Sequence, residues 1–149
     1  MNIRKINEND KSEFLSLVKA FYNSEAVLHS IPESYHEKTF SELMRSDCYA
    51  ECLFFEDNNE TVGYALLAKT FSQEAGGLAV WIEEIYIKEQ YRSKGFGSEF
   101  FYWLFENVPA KRYRLEVEAD NFRAKKMYEK MGFRILPYEQ MVKDICDDK

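Results

Sequence analysis

A mixed α/β fold is what this sequence predicts, on three observations. Early segments carry apolar positions at helical spacing, the middle reads as an antiparallel succession of strands, and Trp81 to Phe101 runs an apolar strand through a glycine turn into a helix. The resulting element order is β-α-α-β-β-β-α-β-α-β-β. At 149 residues it reads as one domain, 1–149, with no Pro/Gly/Ser-rich linker, repeat or low-complexity run to divide it. Hydrophobic residues at 46% and aromatics at 16% supply ample core material for that size.

Residues 2–6 read as a short strand. A helix follows from about Asp10, with Phe14, Leu15, Leu17, Val18, Phe21 and Tyr22 on its apolar face, and Asp10 with Glu13 imitates a capping box. A second helix starts near Pro32–Ser34, ends before Asp47 and buries Phe40, Leu43 and Met44. Ala50–Glu56 and Glu60–Thr70 then flank Asp57-Asn58-Asn59, a tripeptide suited to a hairpin, and Gly76-Gly77 reverses the chain into Leu78–Ile87. A helix from about Gly97 to Asn107 buries Phe100, Phe101, Leu104 and Phe105. Arg112–Val117 reads as a strand, Asn121–Met131 as a helix, and Phe133–Leu136 and Gln140–Ile145 as two closing strands.

The net charge of −6 argues against a broad nucleic-acid or anionic-membrane surface, since both need a clustered positive field. Cationic partners suit it better. The odd set Cys48, Cys52 and Cys146, and an N-terminus without an apolar signal core, point to a reducing cytoplasm. No metal is expected: Cys48 and Cys52 lack a second ligand pair and read as half-buried packing on a strand, and neither His29 nor His36 has a metal-ligand spacing.

Chemistry concentrates at the glycine turn. Arg92, Gly95 and Gly97 form Arg-x-x-Gly-x-Gly, which lines up backbone N–H groups at a helix N-terminus and so suits phosphate oxygens. A dinucleotide fingerprint would need a third glycine where Phe100 stands. A Walker A loop would need Gly-Lys-Ser/Thr, and here the order is Lys94-Gly95. A plain connecting turn is the bland alternative. A second motif starts at Asn121, Asn-x-x-Ala-x-x-x-Tyr-x-x-x-Gly-Phe, in which Ala124 and Tyr128 share a helix face and Gly132 supplies a left-handed cap.

Together the two motifs resemble those of the GNAT-type N-acetyltransferases, closely over roughly residues 78–135 and by element order before that. The resemblance implies a mostly antiparallel sheet splayed between Leu78–Ile87 and Arg112–Val117, with acetyl-CoA as cosubstrate in the gap. It implies that Arg92, Ser93, Lys94, Gly95, Phe96, Gly97 and Ser98 cradle the pyrophosphate, that the backbone of Ile85 and Ile87 holds the pantetheine arm as an added strand, and that Asn121 also contacts the cofactor. For the Arg92 and Lys94 side chains the alternative is a solvated surface turn.

Tyr128 occupies the position of the family's general acid, the alternative being a core tyrosine. Glu83 and Glu84 lie inside the apolar run WIEEIYI, where alternation directs them to opposite faces unless a bulge intervenes. Glu83 matches the position of the base, with Glu84 as the reserve base or an amine-binding anion; a pair without chemistry at a splayed sheet edge is the bland reading. The first two helices would form the acceptor wall, placing Tyr22, Glu25, His29 and Tyr35 near the amine. The expected reaction is acetylation of a primary amine on a small cationic metabolite such as a polyamine. A peptide or protein amine is the enzymatic rival, and a silent acyl-CoA-binding module the non-enzymatic one. A homodimer through the Gln140–Ile145 strand is expected from its exposed edge.

Overall fold

The computed structural model describes residues 1–145, which leaves Cys146 outside. The chain divides into two compact units, Met1–Glu116 and Val117 onward. In the first, a five-stranded sheet runs in sequence order: β1 (Asn2–Lys5), β2 (Ala50–Asp57), β3 (Glu60–Ser72), β4 (Gly77–Ile87) and β5 (Arg112–Leu115). Pairing is antiparallel through β4, and only the β4–β5 pair is parallel. The mostly antiparallel sheet is the expected one.

Helices α1 (Lys11–Tyr22) and α2 (Glu33–Arg45) cover one face, where Phe14, Leu17, Val18, Phe21, Phe40 and Leu43 pack with Cys52, Phe54 and Tyr64. Helix α3 (Phe96–Asn107) covers the other, its Phe100 ring 5.1 Å from that of Phe55. Strand alternation sends Phe54 and Phe55 to opposite faces, so both layers are filled from one strand. The β2–β3 hairpin closes with Asn58 and Asn59 both in the left-handed region, at φ 49° and 65°. Asparagine tolerates that conformation, and two such residues match the twist of the strands they join.

Asp10 does not cap α1. Its carboxylate is taken by Arg4 in a two-pronged pair at 2.8 and 2.9 Å, and it closes a capping box with Asn7 around the one-turn 3-10 helix that precedes α1. Cys52 is buried on β2 as expected, whereas Cys48 is exposed in the approach to that strand.

The second unit holds α4 (Phe122–Lys130). Gly132, at φ 94°, ends it in a complete Schellman motif: the Phe133 N–H donates to the Tyr128 carbonyl and the Gly132 N–H to that of Glu129, both at 3.0 Å. The two closing strands are not formed. Residues 133–136 and 140–145 carry no ladder, and the unit that contains them has no strand among its described residues for them to pair with.

Candidate acyl-transfer site

The glycine turn has the backbone of an anion cradle. Ser93 and Gly95 both have positive φ, 63° and 87°, and Gly95 directly precedes α3. Helical bonding begins with the Glu99 N–H donating to the Gly95 carbonyl at 3.0 Å, so the amides of Phe96, Gly97 and Ser98 lie before the ladder. A Cβ at Gly95 would meet nothing within 4 Å. Glycine is demanded there by φ, and the space above it stays open. Phe96 is buried beneath the turn beside Tyr91, which anchors the loop. Open space, free-standing amides and a helix dipole fit a pyrophosphate.

Side chains of the loop are partly engaged. The Arg92 Nε donates to the Ile87 carbonyl at 2.8 Å with its guanidinium over the Tyr86 ring, and the Lys94 ammonium lies 5.4 Å from the Tyr91 ring centroid. Arg92 thus ties the loop to β4. The backbone cradle needs neither charge.

β4 itself offers an open edge. Its parallel ladder with β5 stops at Ile82 and Leu115, whereas its ladder with β3 continues to Ile87. Among the described residues, 83–87 therefore have a strand on one side only, with Ile85 and Ile87 in the open stretch. This is the splay expected between the two strands, and it suits strand addition by an extended amide-bearing arm.

A β-bulge stands where the splay begins. Leu66 of β3 pairs with Glu84 and Leu67 with Ile82, so Glu83 is the extra residue. Glu84, 9% exposed, faces α1 and accepts two phenolic hydrogen bonds at 2.7 Å, from Tyr22 Oη at Oε2 and Tyr64 Oη at Oε1. Burial and this carboxylate push both phenols up, and Tyr22 also feels Glu83. The bulge interrupts simple alternation at Glu83, whose charge still acts on the Tyr22 phenol. Glu83 stays open to solvent, and its carboxyl is pushed up from the usual range by desolvation, then by Glu116 and Glu84.

Of the expected acceptor wall, only Tyr22 joins this cluster. Glu25 and His29 are exposed, and Tyr35 is turned outward with Lys38 over its ring at 5.2 Å. His36 takes the inner position instead. It is buried, lies 5.3 Å ring to ring from Tyr22, and lines a cavity of about 20 Å³ with Tyr22, Thr39, Leu66 and Glu84. That volume holds one small polar group. The α2 spacing carried the signal, because His36 precedes Phe40 by one helical turn on the apolar face. Among the described residues no group of three potential ligands could hold a metal ion.

In the second unit, Asn121 caps α4, its Oδ1 accepting the Ala124 N–H at 3.2 Å. Tyr128 follows on α4, with its ring 6.1 Å from that of Phe133, and burial pushes its phenol up. A phenol held that way stays protonated at neutral pH and keeps a proton to give.

An anion cradle at a helix start, an open strand edge and a carboxylate with a raised pKa at its end together make the frame of an acyl-CoA-dependent transferase. The chain belongs to the acetyltransferase (GNAT) family, whose model matches residues 14–133, and it is an acetyl-CoA-dependent N-acetyltransferase. A mouse (Mus musculus) thialysine N-epsilon-acetyltransferase is 25% identical over 87% of this chain and 82% of its own length. Among solved structures, a protein from Clostridium difficile 630 described as a possible acetyltransferase matches with a TM-score of 0.80 and 18% identity over 97% of each chain. An aminoglycoside 6'-N-acetyltransferase from Acinetobacter haemolyticus matches with a TM-score of 0.74 and 18% identity, over 99% of this chain and all 100% of that one. These two structural likenesses concern the fold.

Proposed function

We propose that the acceptor is the primary amine of a small cationic metabolite, a polyamine being the reference case, and that Glu83 is the base. The carrying observation is the bulge, which leaves Glu83 solvent-accessible with a raised pKa where the β4 edge opens. Acetyl-CoA, when bound, supplies the acetyl group as an activated thioester. A primary amine with pKa near ~10 falls roughly 4 kcal/mol short of being neutral at pH 7, and a base that removes its proton through water offsets that shortfall.

Glu83 takes that proton at its carboxylate. Glu84, the buried neighbour held by Tyr22 and Tyr64, stands in reserve as the base. The Tyr128 phenol, kept protonated by burial, gives its proton to the departing sulfur. The amides of 96–98 hold the pyrophosphate, Ile85 and Ile87 the arm, and Asn121 contributes at the start of α4. Tyr22 lines the acceptor wall, with Glu25, His29 and Tyr35 at its outer rim. The family match across 14–133 spans both compact units and supports their acting as one domain.

Thiol release from acetyl-CoA across polyamines, amino acids, aminoglycosides and peptides tests the reading. Turnover confined to small amines supports it. Turnover with peptides alone would replace it with a protein-directed activity, and none with any amine would leave an acyl-CoA-binding module. The mouse relative, named for the ε-nitrogen of thialysine, favours a small amine. Exposed apolar residues Ile135, Tyr138, Met141, Val142 and Ile145 support a homodimer through that segment, which sedimentation velocity checks.

A further inference from the structure

β4 and β5 run parallel up to the point where they part, and they deliver residues in pairs. Trp81 stands opposite Arg114, and two residues on, at the splay, come Glu83 and Glu116, whose charges interact. The Arg114 guanidinium lies over the Trp81 indole, 4.2 Å from the ring centroid, and both residues are half-buried. Yet among the described residues Arg114 forms no ion pair or hydrogen bond, although Glu116 is its near neighbour and every other arginine in the sheet, Arg4 and Arg112, is paired with a carboxylate. The ring contact restrains the guanidinium and leaves its N–H groups without a protein partner among the described residues, and a guanidinium can take a carboxylate with two parallel bonds.

We infer that Arg114, positioned by Trp81, binds a carboxylate on the acceptor, so that the preferred substrate is an amino acid carrying a distal primary amine rather than a polyamine. This rests on the acetyl-transfer reading and narrows its small amine, with an amino acid taking the place of the polyamine reference case. The step from the Trp81–Arg114 pair to Glu83 is two strand residues, ~7 Å along β4. An acceptor gripped by its carboxylate at Arg114 extends its amine, several carbons away, toward the base. A polyamine carries no carboxylate for that fork and leaves it unfilled. Specificity then comes from a bond that only a carboxylate-bearing acceptor makes.

The test compares L-lysine with 1,5-diaminopentane, which differs from it by the carboxylate, in calorimetric titration of the CoA-bound protein and in thiol release from acetyl-CoA. A hydrogen-bonded charge pair predicts at least a tenfold preference for lysine, expressed in Kd and KM more than in kcat. Arg114→Gln should erase that preference while CoA still raises the melting temperature. Arg114→Met, which keeps the aliphatic stem over Trp81, answers the same question if the glutamine variant does not fold. Equal or tighter binding of the diamine by the wild type would overturn the assignment, as would a lysine preference that survives both variants. Absence of thiol release with every amine would sink the acetyl-transfer reading alone, since the titrations still decide whether Arg114 reads a carboxylate.

Discussion

Glu83 and Glu84 are consecutive residues of one strand, and the protein treats them in opposite ways. Glu84 is sealed under α1 with a tyrosine hydroxyl on each oxygen, whereas Glu83 stays in contact with solvent beside Glu116. A single extra residue in β4 makes the difference, because it keeps Glu84 in register with Leu66 and leaves Glu83 without a partner on β3. A carboxylate whose lone pairs are spent on buried donors is poorly placed to exchange protons. One that meets water and neighbouring charge is well placed. The two ends of the sheet face differ in the same way: beneath α1 the Glu84 carboxylate is satisfied by two tyrosine hydroxyls, and at the splay residues 83–87 of β4 have no β5 partner.

Four experiments bear on that contrast. The largest effect is expected at the ligand end. Saturating CoA should stabilise the wild type by about 2.7 kcal/mol at a hundredfold its Kd, and Gly95→Glu should remove that shift by placing bulk, charge and an unfavourable positive φ over the cradle. An undiminished CoA-induced melting shift in the variant would show that phosphate binds elsewhere. Next, Tyr128→Phe should lower kcat by ~10²-fold with CoA affinity nearly unchanged, in line with loss of one proton donor. Equal turnover, with chemistry limiting in both proteins, would make Tyr128 a packing residue.

At the sealed end the readout is stability. Glu84→Ala should cost about 1–3 kcal/mol for each buried hydroxyl it orphans, those of Tyr22 and Tyr64, measured by urea denaturation. Glu83→Ala, at an open position, should stay within ~0.5 kcal/mol of wild type. Similar losses for the two would erase the distinction between them.

Much of this was legible in the residues because some backbone conformations admit few of them. Gly95, Gly132 and the Asn58-Asn59 pair mark left-handed positions, and each is where the chain turns from one element to the next. The helices follow their apolar spacing, and the splay follows from the family motifs. What could not be read depends on partners that only the folded chain brings together. The bulge is a register event between β3 and β4. Asp10 was lost as an α1 cap because Arg4, on a neighbouring strand, binds it more strongly than an amide would. The segments 133–136 and 140–145 have strand-forming residues, but β-structure requires a ladder and their unit supplies none. His36 and Arg114 gain their meaning from Tyr22 and Trp81, which only the fold brings beside them.

The most direct measurement is the pH dependence of kcat/KM for wild type, Glu83→Gln and Glu84→Gln with one amine acceptor. Glu83 has a raised pKa, so its basic form appears only as pH climbs through a value above the usual carboxylate range. The wild-type profile should therefore rise toward a plateau. Glu83→Gln should lose most of its activity near neutrality, where neutral amine is scarcest, and recover as pH increases, whereas Glu84→Gln should keep the shape of the wild-type curve. A neutral-pH deficit in Glu84→Gln together with an unaltered profile in Glu83→Gln would contradict the assignment and make the buried carboxylate the base.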